Sequence, residues 1–383
     1  MLPTSSLTPQ PASTGIGAPT GRSLSALVVG ASLAGLLSAL ALSRAGVEVT
    51  VLERSAADRP SGAALGVDAR DLARVIGPDA ARQVVARLGT SAGSGSVPAT
   101  WAALHAGLRD IAMADPGIDL RHETPVTHVG QDDAQVWVRN ADGTALTASV
   151  LVGADGYRSL VRRQMFPEHP EAQFAGYTLW LGVTHERELP GVAWPAGFDI
   201  IPADGYYLLG YPLAGEDGST RLGDRRLGWA WYDATRNDVL HRADAVRHGI
   251  ARRSLAGSQI PDTAYRGLMQ DAKRAWPTPW REAVLRTLER REAICTPISE
   301  YVPSRLVAGR TALVGDAAHV PTPMTGMGFA ASLADADAIA SALQDELPDA
   351  VPAALEAYEE RRLEPARRLV LGGQQFSRSF TRS

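Results

Sequence analysis

The chain has little cysteine, little lysine and few aromatic residues, and each shortage closes off a class of chemistry. A single cysteine, Cys295, in 383 residues excludes an intrachain disulfide framework and suits a reducing cytoplasm. The only lysine is Lys273, and no motif surrounds it that would support a Schiff-base mechanism. The 8 histidines show no H-x-x-x-H or carboxylate-paired spacing, so no metal site is expected. Charge of either sign is also not in excess: 38 basic against 42 acidic residues give a net −4, with no basic surface to recommend nucleic acid. Long apolar runs are scarce. Residues 23–43 carry no charge and could in length span a bilayer, but Gly30, Ser32 and Gly35 interrupt them and a charged strand follows Gly46. They read as a buried element, with no membrane partner expected. Residues 1–22, rich in Ser, Thr, Pro and Gly and without a signal-peptide pattern, read as a disordered leader.

What is present is a globular composition, 45% hydrophobic, in a chain long enough for two intimately joined domains. Residues 26–53 hold an apolar strand, the pattern Gly30-x-Ser32-x-x-Gly35, an Ala/Leu helix, a Gly46 stop, a β-branched strand and Glu53. This is the layout of a nucleotide-binding βαβ unit. Gly30 allows a sharp turn, Ser32 is small enough for backbone to approach a pyrophosphate, and Gly35 allows close helix–sheet packing. The helix N-terminus offers free N–H groups to phosphate. Glu53, 18 residues after Gly35, is placed to accept hydrogen bonds from a ribose.

Two further segments repeat the theme of a strand ending at a polar turn. Residues 150–163 read as a strand followed by Asp155-Gly156, with Ser159 and Arg162 at helical spacing. Residues 312–331 read as a strand ending at Gly315-Asp316, then a loop with His319, Pro321 and Pro323, then Gly326-Met327-Gly328 opening an Ala-rich helix. Glycines at a helix start, without charged neighbours, suggest backbone donors aimed at something polar.

Together these segments resemble the single-component (class A) FAD-dependent aromatic monooxygenases, which have the p-hydroxybenzoate hydroxylase fold. The match covers residues 23–60, 150–163 and 305–345 in the family's order. The resemblance implies an α/β fold: a Rossmann-like FAD-binding domain with an inserted antiparallel β-sheet substrate domain. The expected division is an FAD-binding domain over 23–168 and 267–348, a substrate domain over 169–266 and a C-terminal helical cap over 349–383. The resemblance also implies site residues. Gly30, Ser32, Leu33 and Gly35 would line the FAD pyrophosphate, with Glu53 on the adenosine ribose and Arg54 beside it. Asp155 and Gly156 would serve both FAD and a transient NAD(P)H, and Asp316 the ribityl or ribose side of FAD. Pro323 would lie against the flavin. Gly326, Met327 and Gly328 would present N–H groups to its pyrimidine edge.

The chain departs from the family pattern at Ala330, where an asparagine is usual, at Ser32, and near residue 100, where an arginine is missing. With the helix around Trp101, Leu104, Leu108 and Arg109 and the segment 208–232, it looks most like the subgroup around 2,6-dihydroxypyridine hydroxylase. Residues 353–371 read as a charged amphipathic helix pair interrupted at Pro365.

Between 170 and 265 strands replace helices, and most of the 8 tryptophans lie at or beyond Trp180. One face of an antiparallel sheet is expected to roof the flavin and leave an aromatic-lined pocket for a flat substrate. Trp229-Ala-Trp231 begins like the flavin halogenase signature, but Tyr232-Asp233-Ala234 break it. The implied reaction takes NAD(P)H and O₂ and hydroxylates an electron-rich aromatic or N-heteroaromatic ring through a flavin C4a-hydroperoxide. Tyr206, Tyr207, Tyr211 and His319 are candidates for activating a ring hydroxyl, in a cytoplasmic monomer or homodimer. The alternatives are epoxidation, Baeyer–Villiger oxidation or dehydrogenation on the same fold, or a nucleotide-binding module without catalysis.

Overall fold

The motif-bearing segments meet at one edge of a parallel sheet. In the computed structural model, which describes residues 24–56, 64–88, 97–216 and 218–382, β1 (Ser25–Val29), α1 (Leu33–Arg44) and β2 (Glu48–Leu52) form the first βαβ unit. The expected leader over 1–22 lies outside the described residues. Helix α2 (Trp101–Ala114) leads to β3 (Ile118–Arg121), and β4 (Val150–Gly153) follows a three-stranded meander over 126–148. A long strand β5 (Gln173–His185) then opens an antiparallel sheet with β6 (Asp199–Ala203), β7 (Tyr206–Leu213) and β8 (Arg226–Asp233). Helices α3 (Asp262–Ala275) and α4 (Trp280–Glu289) precede β9 (Ile294–Glu300), β10 (Thr311–Leu313), α5 (Gly328–Leu343) and α6 (Val351–Phe380).

The first sheet runs Val307–Ala308, β10, β4, β1, β2, β3, and every pair except the first is parallel. Strand order reverses around β1, which puts a crevice at the carboxyl ends of β1, β2 and β4. Helix α1 packs against α5 and α2 and is buried from Leu33 to Leu42. That burial on all sides explains why residues 23–43 carry no charge. Among the described residues no helix is long and apolar enough to cross a membrane.

The second sheet runs β6, β7, β8, β5, with β9 on the far side of β5. Its two faces differ sharply. Trp180, Trp229 and Trp231 point to one side and form a core with Trp276 and Trp280 of the α3–α4 region. Leu179, Leu181, Leu209, Tyr211, Ala230 and Tyr232 point to the other, as the two-residue period of a strand requires. The tryptophans are therefore packing residues on the outer face, not the lining of a ring pocket.

Helix α6 is continuous through Pro365, where the sequence suggested a pair of helices. Proline removes one backbone donor there, but both halves are held by packing. Arg362 bonds Asp335 of α5, and Phe376 and Phe380 pack on Tyr177 and Tyr207 of the second sheet.

Candidate active site

Two cavities adjoin where the motifs converge. A narrow lobe of about 450 Å³ follows the ends of β1, β2 and β4, and a wide lobe of about 810 Å³ lies between α1, α5 and the second sheet. Ser32, Trp101 and Gly156 line both, so the lobes are the two ends of one cleft.

The narrow lobe is built by the first βαβ unit. Gly30 has φ +101°, and a Cβ there would sit 2.6 Å from the Ala154 carbonyl oxygen, so only glycine fits the turn. Ser32 is the N-cap of α1: its Oγ accepts weakly from Gly35 N at 3.5 Å and donates to Ala154 O at 3.1 Å. Glu53 accepts from Ala31 N at 2.9 Å and from Ser55 N at 2.8 Å, holding the glycine turn against the end of β2. Arg54 lines the same lobe. Asp155 Oδ2 accepts from Leu160 N at 2.6 Å and Val161 N at 3.2 Å, while Oδ1 is buried with no partner. Burial pushes the Asp155 carboxyl up, opposed by Ser159 and the helix N–H groups. Gly156 follows at the junction of the lobes.

The wide lobe holds Leu33, Asp316, Pro323, Gly326 and Gly328. Asp316 is exposed and lines the wide lobe. The protein around it pushes its carboxyl up, with His319 and Arg162 pulling the other way. Gly326 N donates to Pro323 O at 3.0 Å and Met327 N to Thr325 Oγ1 at 3.3 Å. Met327 itself is half exposed and does not line the lobe. Helix α5 has no side-chain cap, which leaves the first-turn N–H groups from Gly328 onward at the cleft.

Of the four candidates for activating a ring hydroxyl, Tyr211 lines the wide lobe and Tyr206, Tyr207 and His319 do not; Pro323, expected against the flavin, lines it too. Tyr211 lies flat over Gly228 of the neighbouring strand, where a Cβ would come within 2.1 Å of its ring. Tyr207 shares Tyr211's face but sits four residues back, under Phe376 and Phe380. Tyr206 points to the outer face, with its hydroxyl near Asp271 and Arg236. His319 lies behind the loop, its Nε2 2.7 Å from Asp335 Oδ2. Burial disfavours its charged form, but Asp335 outweighs that and the net shift is upward. For Asp335 burial is likewise outweighed, by His319 and Arg362, and its carboxyl is held below the usual range. His319 is thus held by a buried carboxylate behind the loop. Asp335 also accepts from Gly315 N at 2.9 Å and Arg362 Nε at 2.8 Å, which fixes the turn that carries Asp316.

Four site residues had no role assigned from the sequence. Trp101 and His105 stack at 4.5 Å and 11°, and His105 Nε2 bonds Ala31 O at 2.7 Å. Their i, i+4 spacing was the available signal. Tyr232 lines the wide lobe beside Tyr211, and burial raises its hydroxyl pKa well above the ordinary value. Arg162 is fully buried. Its guanidinium donates to Pro170 O at 2.7 Å and Ala317 O at 2.7 Å and lies 4.2 Å over the Tyr301 ring. It joins the Asp155 turn to the Asp316 turn. Cys295 is fully buried and its thiol is pushed up by burial, so it is inert.

A crevice at a strand-order switch, with a polar narrow end and an apolar wide end, suits a dinucleotide that ends in a flat ring system. The unpaired Asp155 Oδ1, the carboxylate of Asp316 open to the cleft and the uncapped α5 terminus all fit such a group. Fold and site define an FAD-binding flavoprotein. The chain matches the family model for an FAD binding domain over residues 23–76 and 261–372, and an FAD binding domain-like model over 174–290. It is 29% identical to 2,6-dihydroxypyridine 3-monooxygenase of Paenarthrobacter nicotinovorans over 88% of this chain and 86% of that protein. It is also 29% identical to aurachin C monooxygenase/isomerase of Stigmatella aurantiaca, covering 91% and 88%. The solved structure of 2,6-dihydroxypyridine-3-hydroxylase from Arthrobacter nicotinovorans shares the fold, with TM-score 0.72 and 23% identity over 95% of this chain and 94% of that one. In sequence and in fold the chain is similar to single-component FAD-dependent aromatic monooxygenases.

Proposed function

We propose that this enzyme hydroxylates an electron-rich aromatic or N-heteroaromatic ring in the wide lobe, using NAD(P)H and O₂. The observation that carries this reading is the shared cleft. A single cavity system runs from the dinucleotide turn to a mostly apolar lobe walled by the second sheet. Bound FAD, once reduced by the nicotinamide cofactor, supplies the activated oxygen.

The chain's own residues bind, orient and exclude water. Glu53, Arg54 and the Gly30–Gly35 turn hold the adenosine and pyrophosphate end, with Leu33 at the start of α1 alongside. Asp155 Oδ1 and Gly156 meet the junction, and Asp316 accepts from the ribityl hydroxyls. The first-turn N–H groups of α5, opened by Gly328, face the flavin's polar edge, where they favour negative charge. Gly326 and Met327 shape that turn, since their own N–H groups are engaged within it. Pro323 walls the flavin on the substrate side.

Tyr211 and Tyr232 are the tyrosines among the described residues that line the substrate space. Because burial keeps Tyr232 protonated, it donates to a ring oxygen and favours that oxygen's ionised, electron-releasing form. The apolar sheet face keeps water from the reacting atoms. His319 acts behind the loop, as a positioning residue for Asp316.

A second opening, lined by Arg158, Arg163, Arg247, His248 and Arg252 with Glu171 paired to Arg163, shares Arg158 and Arg163 with the narrow lobe and remains basic on balance. Its charge suits the phosphates of the transient nicotinamide cofactor. The function is tested by oxidation of NADH and NADPH with the FAD-loaded protein across hydroxylated pyridines, quinolines and phenols. Ring-dependent stimulation with ring hydroxylation is expected. Stimulation that yields only hydrogen peroxide contradicts the reading.

A further inference from the structure

On the sheet side the wide lobe is walled by Leu179, Leu181 and Leu209, and at its edge by Phe198 and Ile200. Phe198 and Ile200 remain 54% and 55% exposed. Phe198 immediately precedes the edge strand β6, Ile200 is its second residue, and both side chains line the lobe. Ile200 pairs directly with Leu209 of β7. An unbroken apolar track therefore leads from the inside of the lobe to solvent.

The same lobe is poor in charge. Among the described residues no arginine, lysine or histidine lines it, and its one charged side chain is Asp316. A carboxylated ring would bury its anion without a counter-charge and beside another carboxylate. A bare single ring, even with the flavin in place, would leave the outer track unused.

We propose, resting on the monooxygenase reading above, that the substrate is an aromatic ring without an anionic substituent that carries an apolar chain. The ring's polar edge meets Tyr211 and Tyr232, and the chain leaves past Leu209 toward Phe198 and Ile200. Each chain methylene buried along the track tightens binding by about fourfold.

The test compares three ligands of the FAD-loaded protein: 4-hydroxyquinoline, its 2-hexyl derivative and its 2-carboxylate. Dissociation constants are read from the perturbation of the flavin absorption spectrum. The hexyl compound is expected to bind at least tenfold tighter than the parent, and the carboxylate at least tenfold more weakly. The double variant Phe198→Ser, Ile200→Ser should lose most of the hexyl advantage. Equal binding of the hexyl and parent rings, tighter binding of the carboxylate, or an advantage untouched by the double variant would each overturn the proposal. Tightest binding of the hexyl ring with no hydroxylation of any of the three would instead count against the monooxygenase reading and leave the binding inference standing.

Discussion

Ser32 Oγ donates a hydrogen bond of 3.1 Å to the carbonyl of Ala154, joining the dinucleotide turn to the residue just before Asp155 across 122 positions of sequence. The same oxygen caps α1. A family pattern that usually has glycine at this position here has a side chain that locks two cofactor turns together. Ser32→Ala should lower stability by about 1 kcal/mol, the usual cost of losing an N-cap. It should also weaken FAD binding severalfold, because the two turns lose their link. Denaturant unfolding and FAD fluorescence titration measure the two effects separately.

Asp316 lines the cleft, and among the described residues no hydrogen bond reaches its carboxylate, so its partner is expected to be the cofactor. A hydrogen bond to a charged group contributes about 1.5–3 kcal/mol, which corresponds to roughly 10–150-fold in affinity. Asp316→Ala should therefore purify with little yellow colour and bind added FAD weaker by that factor. A variant that keeps its full flavin content would remove Asp316 from the cofactor site.

Tyr211 and Tyr207 share a strand face but not a cavity. Tyr211→Phe should lower kcat/KM by about 10-fold or more, the loss of one hydrogen bond to a reacting ring oxygen. Tyr207→Phe should leave kcat/KM near the parent value, since its ring packs on Phe376 and Phe380 and its hydroxyl does not line the lobe. Steady-state kinetics on both variants check the pair.

The buried His319–Asp335 pair sets a pH window for stability. His319 has a raised pKa in the folded state, so its contribution is present below the unfolded value of about 6.5 and is lost as pH rises through the folded value. Asp335 has a depressed one, so its contribution is present above about 3.9 and is lost as pH falls through its folded value. Stability from the pair is greatest between about pH 4 and 6.5 and declines on the alkaline side. Asp335→Ala should cost about 3–5 kcal/mol, as for a broken buried ion pair, and should flatten the alkaline decline seen in denaturant unfolding across pH 5–9.

What the sequence made legible was what depends on local backbone. The Gly30 turn, the strand-to-Asp155 turn and the Gly315–Asp316 turn are each written in a few adjacent residues, and their geometry follows from those residues. Which face of a strand looks inward is different. Trp229 and Trp231 alternate as clearly as Leu209 and Tyr211 do, and nothing in either strand says which set meets the flavin side. The tryptophans turned outward because α3 and α4 bring Trp276 and Trp280 to cover them. Tyr207 was indistinguishable from Tyr211 until α6 placed Phe376 over it. His319 beside an aspartate-bearing loop resembled a catalytic base, and its true partner, Asp335, is on the following helix. Pro365 looked like a break, and only the contacts at both ends of α6 carry the helix through it.

The measurement closest to the central claim is turnover under ¹⁸O₂ with a ring that stimulates NAD(P)H oxidation. The product is analysed by mass spectrometry and NAD(P)H consumption is followed in parallel. The account predicts one ¹⁸O atom in each hydroxylated ring and one NAD(P)H consumed for each product formed. Hydroxylated product without the label, or oxidised product with no added oxygen, would contradict it.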